Sequence, residues 1–374
     1  MPDYGLDIAI PFAGDPDPSL PWADDDDALL VPGSLALFDA SHSASPLPAG
    51  VPVSGADVPN IAWKRFRDAV GAAVFTGRID NGTIGQAGTT LTVTALAAGS
   101  IVTGQVITGT GVLASTFVAS QVSGTPGGAG VYTVNFSQSV ASGTITATAI
   151  DAASGALTMT GVADQAGIII SERTPRGGLH TIVSQTNDTV NANFKGIQAK
   201  TALANYITAN RGHSFYVSQW RRITRGATAP STQSAIRGGI GNGGTNYITQ
   251  LLQAHTTGSM QSAVNPIASF TDMPVPNVGS TGLVFNADGA AGPGNGNTAL
   301  VIALNYWGLA GSYGSAATYG NKSASYVAYR SYIEDLTVSG RTFEQVRALD
   351  YALYQAAFAA GGRYAGDTFT APAI

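Results

Sequence analysis

The chain has 374 residues, enough to bury one large core or two smaller ones. Only 11% of the residues are charged, the net charge is −5 and there is no cysteine. These figures exclude disulfides, thiolate metal sites and a nucleic-acid binder that works by overall positive charge. No run reaches the ~18 unbroken apolar residues of a membrane span, and residues 1–10, with Asp3 and Asp7 and no basic residue, lack the positive start of a secretory signal.

Charge is unevenly placed. Residues 1–63 hold ten Asp and no Lys or Arg, whereas from Asp151 onward there are 14 basic and 11 acidic residues. Residues 1–33, rich in Pro and Asp, read as an extended acidic arm, and Asp24, Asp25, Asp26 and Asp27 are the candidates for docking it on a basic neighbour. A solvated acidic loop is the plain alternative. Ser34–Asp39 reads as a short strand. Between Pro59 and Ala73 the positions Trp63, Phe66, Val70 and Val74 lie near helical spacing, with Lys64, Arg65 and Arg67 on the wet side.

Between Asp80 and Asp151 lie 70 consecutive residues without Asp, Glu, Lys, Arg or His. Sites that move protons need ionisable groups, so this stretch is expected to pack, pair or present a surface. Strand candidates at Leu91/Val93, Ile101-Val102, Val106-Ile107, Phe117-Val118, Tyr132/Val134/Phe136 and Ile145 are separated by glycines. A module with no charges to guard its edges must close on itself, be covered or pair with a neighbour.

The run Gly104-Gln-Val-Ile-Thr-Gly109-Thr-Gly111-Val112, followed by Gly130-Val-Tyr132-Thr-Val134 and Ser137-Gln138 with Val140, resembles a β-module of tailed-bacteriophage structural proteins. The resemblance spans residues 84–148. It implies a virion protein without saying which one, because the module is inserted into head, tail, baseplate and fibre proteins alike. Thr76–Asp80 and Thr160–Asp164 read as two halves of one parent domain, interrupted by an inserted unit at 81–149.

The rest of the body, 34–80 and 150–374, is read as strands at Gly167–Glu172, Thr181–Ser184, His213–Arg222, Gly282–Phe285, Ala299–Asn305 and Ala324–Glu334. A low-complexity stretch lies at Arg225–Asn246. Thr342-Phe-Glu-Gln345 is a capping box that opens a helix through Val346, Leu349, Leu353 and Ala357, closed by Gly361-Gly362. The Trp220-Arg221-Arg222 strand, the Asn60-Ile-Ala stretch and this helix are similar in plan to the laminin-G/concanavalin-like jelly-roll domains of phage proteins. The expected fold is therefore mainly β: a jelly-roll-type β-sandwich with a small inserted all-β domain and one C-terminal helix.

Signatures of chemistry are few. The histidines His42, His180, His213 and His255 are far apart, and no zincin, nucleophile-elbow or Walker motif occurs. Gly239-Ile-Gly241-Asn-Gly243-Gly244 fits G-x-G-x-x-G but follows a Ser/Thr-rich stretch, so it reads as a loop. Asp15, Asp17 and Asp24–Asp27 lack calcium-loop spacing. Glu334 and Asp335 are adjacent and would face opposite ways on a strand. No metal or cofactor is expected. Tyr306, Trp307, Tyr313 and Tyr319 are candidates for an interaction surface, with core packing as the commoner fate of such residues.

The expected function is a non-enzymatic, surface-exposed component of a phage virion, made in the host cytoplasm. A tail or baseplate appendage for host attachment is preferred and a capsid decoration is the alternative. Partners would be further copies of the chain, as a homotrimer, other virion proteins and a host surface glycan, with no nucleic acid and no membrane insertion. The competing classes are a carbohydrate-binding adhesin and a depolymerase with carboxylates drawn from distant parts of the chain.

Overall fold

Threonine, β-branched and aromatic residues alternate along most of this chain, with glycine between the runs, and strands follow from that pattern. In the computed structural model strand accounts for 47% and helix for 16%, so the protein is mainly β. The structure describes residues 27–42, 47, 50–150, 152–186, 193–210, 213–226 and 324–374, with the strand segments 236–242, 252–254, 268–269, 278–286 and 300–308.

The first elements in chain order are β1 (Ser34–Asp39), β2 (Asp57–Val58), α1 (Trp63–Val70), β3 (Ala73–Asp80), β4 (Gly88–Ala98), β5 (Gln105–Gly109), β6 (Val118–Gly124), β7 (Gly130–Gln138) and β8 (Val140–Ile150). Next come α2 (Ala152–Gly155), β9 (Leu157–Gly161), β10 (Ile169–Arg173), β11 (Leu179–Val183), β12 (Phe194–Ala199), α3 (Thr201–Ala209) and β13 (Ser214–Arg225). The last are β14 (Ile236–Asn242), β15 (Leu252–Ala254), β16 (Ala268–Ser269), β17 (Val278–Asn286), β18 (Leu300–Gly308), β19 (Ser325–Asp335), α4 (Leu336–Ser339) and α5 (Phe343–Phe358).

Two sheets form the body. One runs β10-β11-β19-β13-β17-β16, and the other β15-β14-β18-β12-β9-β2. In the first, β1 and β11 share one edge of β19, β1 on its residues 330–334 and β11 on 326–328. Alternation along β13 and β19 sorts the side chains. Phe215, Val217, Tyr326, Ala328 and Ile333 meet Ile302, Leu304 and Trp307 of β18 and Leu157 and Met159 of β9 in the main core. The opposite face carries Tyr216 and Tyr332, then Trp220, Val327 and Tyr329, and packs under α5. The body is thus a β-sandwich with a helix on one outer face, and every position of β19 is buried.

Helix α5 opens with the reciprocal Thr342–Gln345 capping box. Its buried face holds Val346, Tyr354, Ala357 and Phe358. Each large apolar side chain buried there contributes about 1.5–3 kcal/mol, against about 1 kcal/mol for the cap, so packing rather than capping holds the helix in place. The C-cap is Ala359; the glycine pair follows two residues later. It is still required, because a Cβ at Gly362 would lie 2.2 Å from the Ala356 carbonyl oxygen.

The charge-free segment forms a third sheet, β5-β8-β3-β4-β7-β6, with its own core of Phe75, Leu91, Ile107, Tyr132, Val134, Ile145 and neighbours. Its two edge strands meet: Val106 bridges Phe117, Ile107 N donates to Thr116 O (2.8 Å) and Gly104 N donates to Val118 O (2.8 Å). The sheet therefore closes into a small antiparallel barrel, which removes the unguarded edges. Buried amides complete it. Gln105 accepts from Val102 N (2.7 Å) and donates to the carbonyls of Ser100 and Gly71 (3.0 and 3.2 Å). Gln138 accepts from Leu113 N (2.8 Å) and donates to Thr116 Oγ1 (2.9 Å). Tyr132 donates to Gly128 O (2.7 Å). The polar residues of the repeated pattern are thus ties between loops and strands.

The structure moves several boundaries. The barrel starts at Ala73, because Thr76–Asp80 belongs to β3, which pairs with β4 and β8. Thr160-Gly161 lies in β9 of the body, paired with β12, so the two flanks are not halves of one sheet. Helix α1 ends at Val70, and Val74 lies in β3. Ile101-Val102 is a buried irregular stretch rather than a strand. Gly239 and Gly241, expected in a loop, lie in β14, where the partner strand β18 supplies the hydrogen-bond ladder opposite Ala303 and Val301. Gly243 and Gly244 lie outside the described residues.

Candidate functional site

The ionisable residues of the body converge on the outer face of the first sheet. At its centre Arg330 is 1% exposed. Its two terminal nitrogens donate to both oxygens of Asp27 (2.6 and 2.7 Å), and Nη1 also reaches Asp39 Oδ2 (3.1 Å). The guanidinium lies 4.9 Å from the Trp220 ring centroid. Asp39 also accepts from Tyr364 OH (2.7 Å) and Arg363. Burial alone would raise the Asp27 carboxyl, but the hydrogen bonds and charge of Arg330 outweigh it and hold the group below the usual carboxylate range. Arg330 is pushed upward in turn: desolvation opposes its charge, and the Asp27 and Asp39 carboxylates overcome that.

Asp27 is therefore docked on a basic residue of its own chain. The turn that follows is fastened too, since Leu29 O accepts from Tyr332 OH and Arg341 Nη2 (both 2.9 Å) and Leu29 is fully buried. Asp24, Asp25 and Asp26 lie outside the described residues, as do Asp15 and Asp17. A cleft of about 350 Å³ opens beside this hub, between Asp27, His42, Arg330 and Arg363 on one side and Leu353 and Ala357 of α5 on the other. Both guanidiniums already face carboxylates, so the cleft has no uncompensated charge for an ionic ligand.

Beneath α5, Asp350 is fully buried and accepts from Tyr216 OH and Trp220 Nε1 (2.9 Å each). Desolvation raises its pKa despite the opposing charge of Arg330. Glu334 and Asp335 face opposite ways: Glu334 binds Arg341 and Tyr332 OH, while Asp335 accepts from Tyr206 OH (2.8 Å), caps α4 and meets His213 Nδ1 (2.7 Å).

The three described histidines each face a carboxylate: His42 faces Asp27, His213 faces Asp335 and His180 faces Glu172. His255 lies outside the described residues. Around His180 a relay is formed, with Nδ1 on Glu172 Oε1 (2.7 Å) and Nε2 on Thr224 Oγ1 (2.9 Å). Thr224 sits where β13 shifts register against β19 between Ile223 and Arg225, and the shift turns its hydroxyl to the imidazole. The connectivity is that of a nucleophile relay. However, Glu172 is also engaged by Thr370, and the imidazole is roofed by Phe369 at 5.4 Å. In this arrangement the relay holds the end of the chain.

Of the aromatic candidates, Trp307 is 1% and Tyr306 9% exposed. Trp307 stacks on Tyr326 at 4.8 Å and donates to Tyr326 O (3.0 Å), and Tyr306 stacks on Phe194 at 5.1 Å. They are core residues and present no sugar-stacking platform. Trp307 lies in the main core, and Tyr306 is buried against Phe194 of the neighbouring strand β12. Tyr313 and Tyr319 lie outside the described residues. The exposed apolar surface lies elsewhere: of seven large exposed hydrophobic side chains among the described residues, Ile84, Leu113, Phe117, Val122 and Phe136 are on the barrel. Sequence spacing gave no signal for these, since Ile84 and Leu113 lie in loops and Val122 and Phe136 share β6 and β7 with buried positions.

Among the described residues no group of three or more His, Asp or Glu could hold a metal, and no helix is long and apolar enough to cross a membrane. No protein family, curated protein or solved structure matches the chain.

Proposed function

We propose that this chain is a structural component of a tailed-phage particle, in which the β-sandwich is the body and the barrel a contact module. The observation that carries the reading is the barrel itself. It closes its own edges, it holds its loops with neutral amides, and it concentrates on its surface five of the seven exposed large hydrophobics among the described residues. That most of these exposed side chains fall on one module is what favours the barrel over the body as the contact surface. The body supports the same reading, because the carboxylates and guanidiniums beside its cleft are already paired with one another.

In this reading the chain works as a homo-oligomer, a trimer, next to other virion proteins, in an exposed tail or baseplate position used for host attachment. It is non-enzymatic and needs no cofactor. Quantitative mass spectrometry of purified particles of the encoding phage tests this. A few to some tens of copies per particle is the expected result, whereas on the order of hundreds places the chain on the capsid instead. Absence from purified particles overturns the virion reading altogether.

A further inference from the structure

We propose that the groove over Glu172, His180, Arg222 and Arg225 is a peptide-recognition site for residues 367–374, and that a second copy's segment fills it when chains assemble. The segment has no regular secondary structure and is held through anchors one or two residues apart. Asp367 accepts from Arg176 N (2.9 Å) and Tyr329 OH (3.1 Å), and its carbonyl accepts from Arg222 Nη1 (2.8 Å). The Phe369 ring is seated between His180 at 5.4 Å and the Arg222 guanidinium at 4.8 Å. Thr370 gives its N–H to Glu172 Oε1 (2.8 Å) and its hydroxyl to Oε2 (2.5 Å). The Pro372 carbonyl accepts from Arg225 Nη1 (3.4 Å).

This is how an extended peptide is read: backbone groups for affinity and one aromatic anchor for register. The groove belongs to strands β10, β11 and β13, which are already fixed in the first sheet, so it exists independently of its occupant. The segment itself is lightly held, with Thr368, Thr370, Ala371 and Ala373 exposed. Just before it, Gly366 has φ +64 and open space around a would-be Cβ, whereas Tyr364 is 1% exposed. The chain is locked through Tyr364, and the turn at Gly366 is closed by a single backbone hydrogen bond, from Asp367 N to Tyr364 O (3.2 Å). Eight residues extended reach about 26–29 Å. An occupant from a neighbouring copy reproduces every contact of the groove, so the exchange gives up only the turn hydrogen bond from Asp367 N to Tyr364 O, and the groove's complementarity to this one segment identifies the partner as a second copy.

The absence of cysteine provides the test. A Glu172→Cys chain and a differently tagged Thr370→Cys chain are mixed under assembly conditions and oxidised. The expected result is a disulfide between the two tags in the assembled fraction, while the double variant at high dilution closes within one chain. Assembly with no inter-tag disulfide, or a chain that stays monomeric under all assembly conditions, overturns the exchange. In parallel, a labelled peptide of residues 366–374 is titrated into the chain lacking 367–374 and into the full chain. Binding at least about tenfold tighter to the truncated chain is expected, because the tethered segment competes at high effective concentration. If the truncated chain is folded by circular dichroism and ignores the peptide, or binds it equally well with Phe369→Ala, the groove is not a recognition site. If truncation prevents folding, the disulfide experiment decides alone.

Discussion

The barrel and the sandwich solve the same problem with different chemistry. Each buries loops whose backbone groups need partners. In the barrel Gln105, Gln138, Thr116 and Tyr132 supply them, all neutral at ordinary pH. In the sandwich Asp27, Asp39 and Asp335 do so, while Arg330, Glu334 and Asp350 bond side chains; all six are buried and ionisable. A neutral amide offers both donor and acceptor and carries a small desolvation penalty, whereas a buried charge must be matched by another. The barrel should therefore be indifferent to pH and salt and to the rest of the chain. The sandwich should fail as a network.

The largest effect that separates the two regions is expected from Arg330→Met. It leaves Asp27 and Asp39 buried without their main counter-charge and removes the contact with Trp220. Breaking one side of a buried pair costs about 3–5 kcal/mol. Urea unfolding followed by tryptophan fluorescence should show the loss, because Trp220 and Trp307 both lie in the sandwich. A loss below about 1 kcal/mol would mean that the hub is not what fastens the N-terminal turn.

Gln138→Leu comes next. It keeps the volume but removes the partner of the part-buried Leu113 N, and the barrel should lose about 1 kcal/mol, the net worth of one hydrogen bond. Hydrogen exchange resolved by segment is the measurement: protection should fall in 105–138 and stay unchanged in β13 and β19. Equal loss in both regions would show that barrel and sandwich unfold as one unit.

Acid should separate them as well. In the folded chain Asp27 lies below its ordinary value, since Arg330 outweighs burial, and Glu172 does so through His180 and Thr370. A depressed carboxyl contributes stability that is present above the unfolded pKa of about 4 and is lost as pH falls through the folded value. Asp350 works the other way, because burial raises it and its contribution declines as pH rises through the carboxylate range. Between Ala73 and Ile150 the acid-titrating side chains reduce to Asp80, paired with Arg78. Body protection should change between about pH 5 and pH 2 while barrel protection stays nearly flat. Parallel loss in both would refute the division.

What could be read from the sequence follows the same divide. Local patterns were readable: the T-x-x-Q cap set the start of α5, and glycine spacing with alternation marked most barrel strands, because hydrophobic period and turn residues act over a few positions. Long-range pairing was not. Asp27 and Arg330 are 303 residues apart, and nothing near either one specifies the other. Thr76–Asp80 reads equally well as a strand of either domain, and only its pairing with β4 and β8 assigns it. Tyr306 and Trp307 read as candidates for an interaction surface, with core packing as the commoner fate. Both are buried, through contacts with Phe194 and Tyr326 that no local pattern specifies.

The smallest expected effect on stability is the most informative about use. Ile84 and Val122 are 82% and 62% exposed on the barrel, so Ile84→Ser and Val122→Ser remove contacts with water alone and should change stability by no more than about 0.5 kcal/mol. If the barrel's apolar surface is a contact face, the same substitutions should weaken association measurably, by sedimentation of the purified chain or by incorporation into particles. A folding defect would mean that these side chains pack in a way their exposure does not reveal. Unchanged association in the double variant would leave the charge-free barrel as a spacer, and the contacts of the assembly would then have to come from the sandwich and its C-terminal segment.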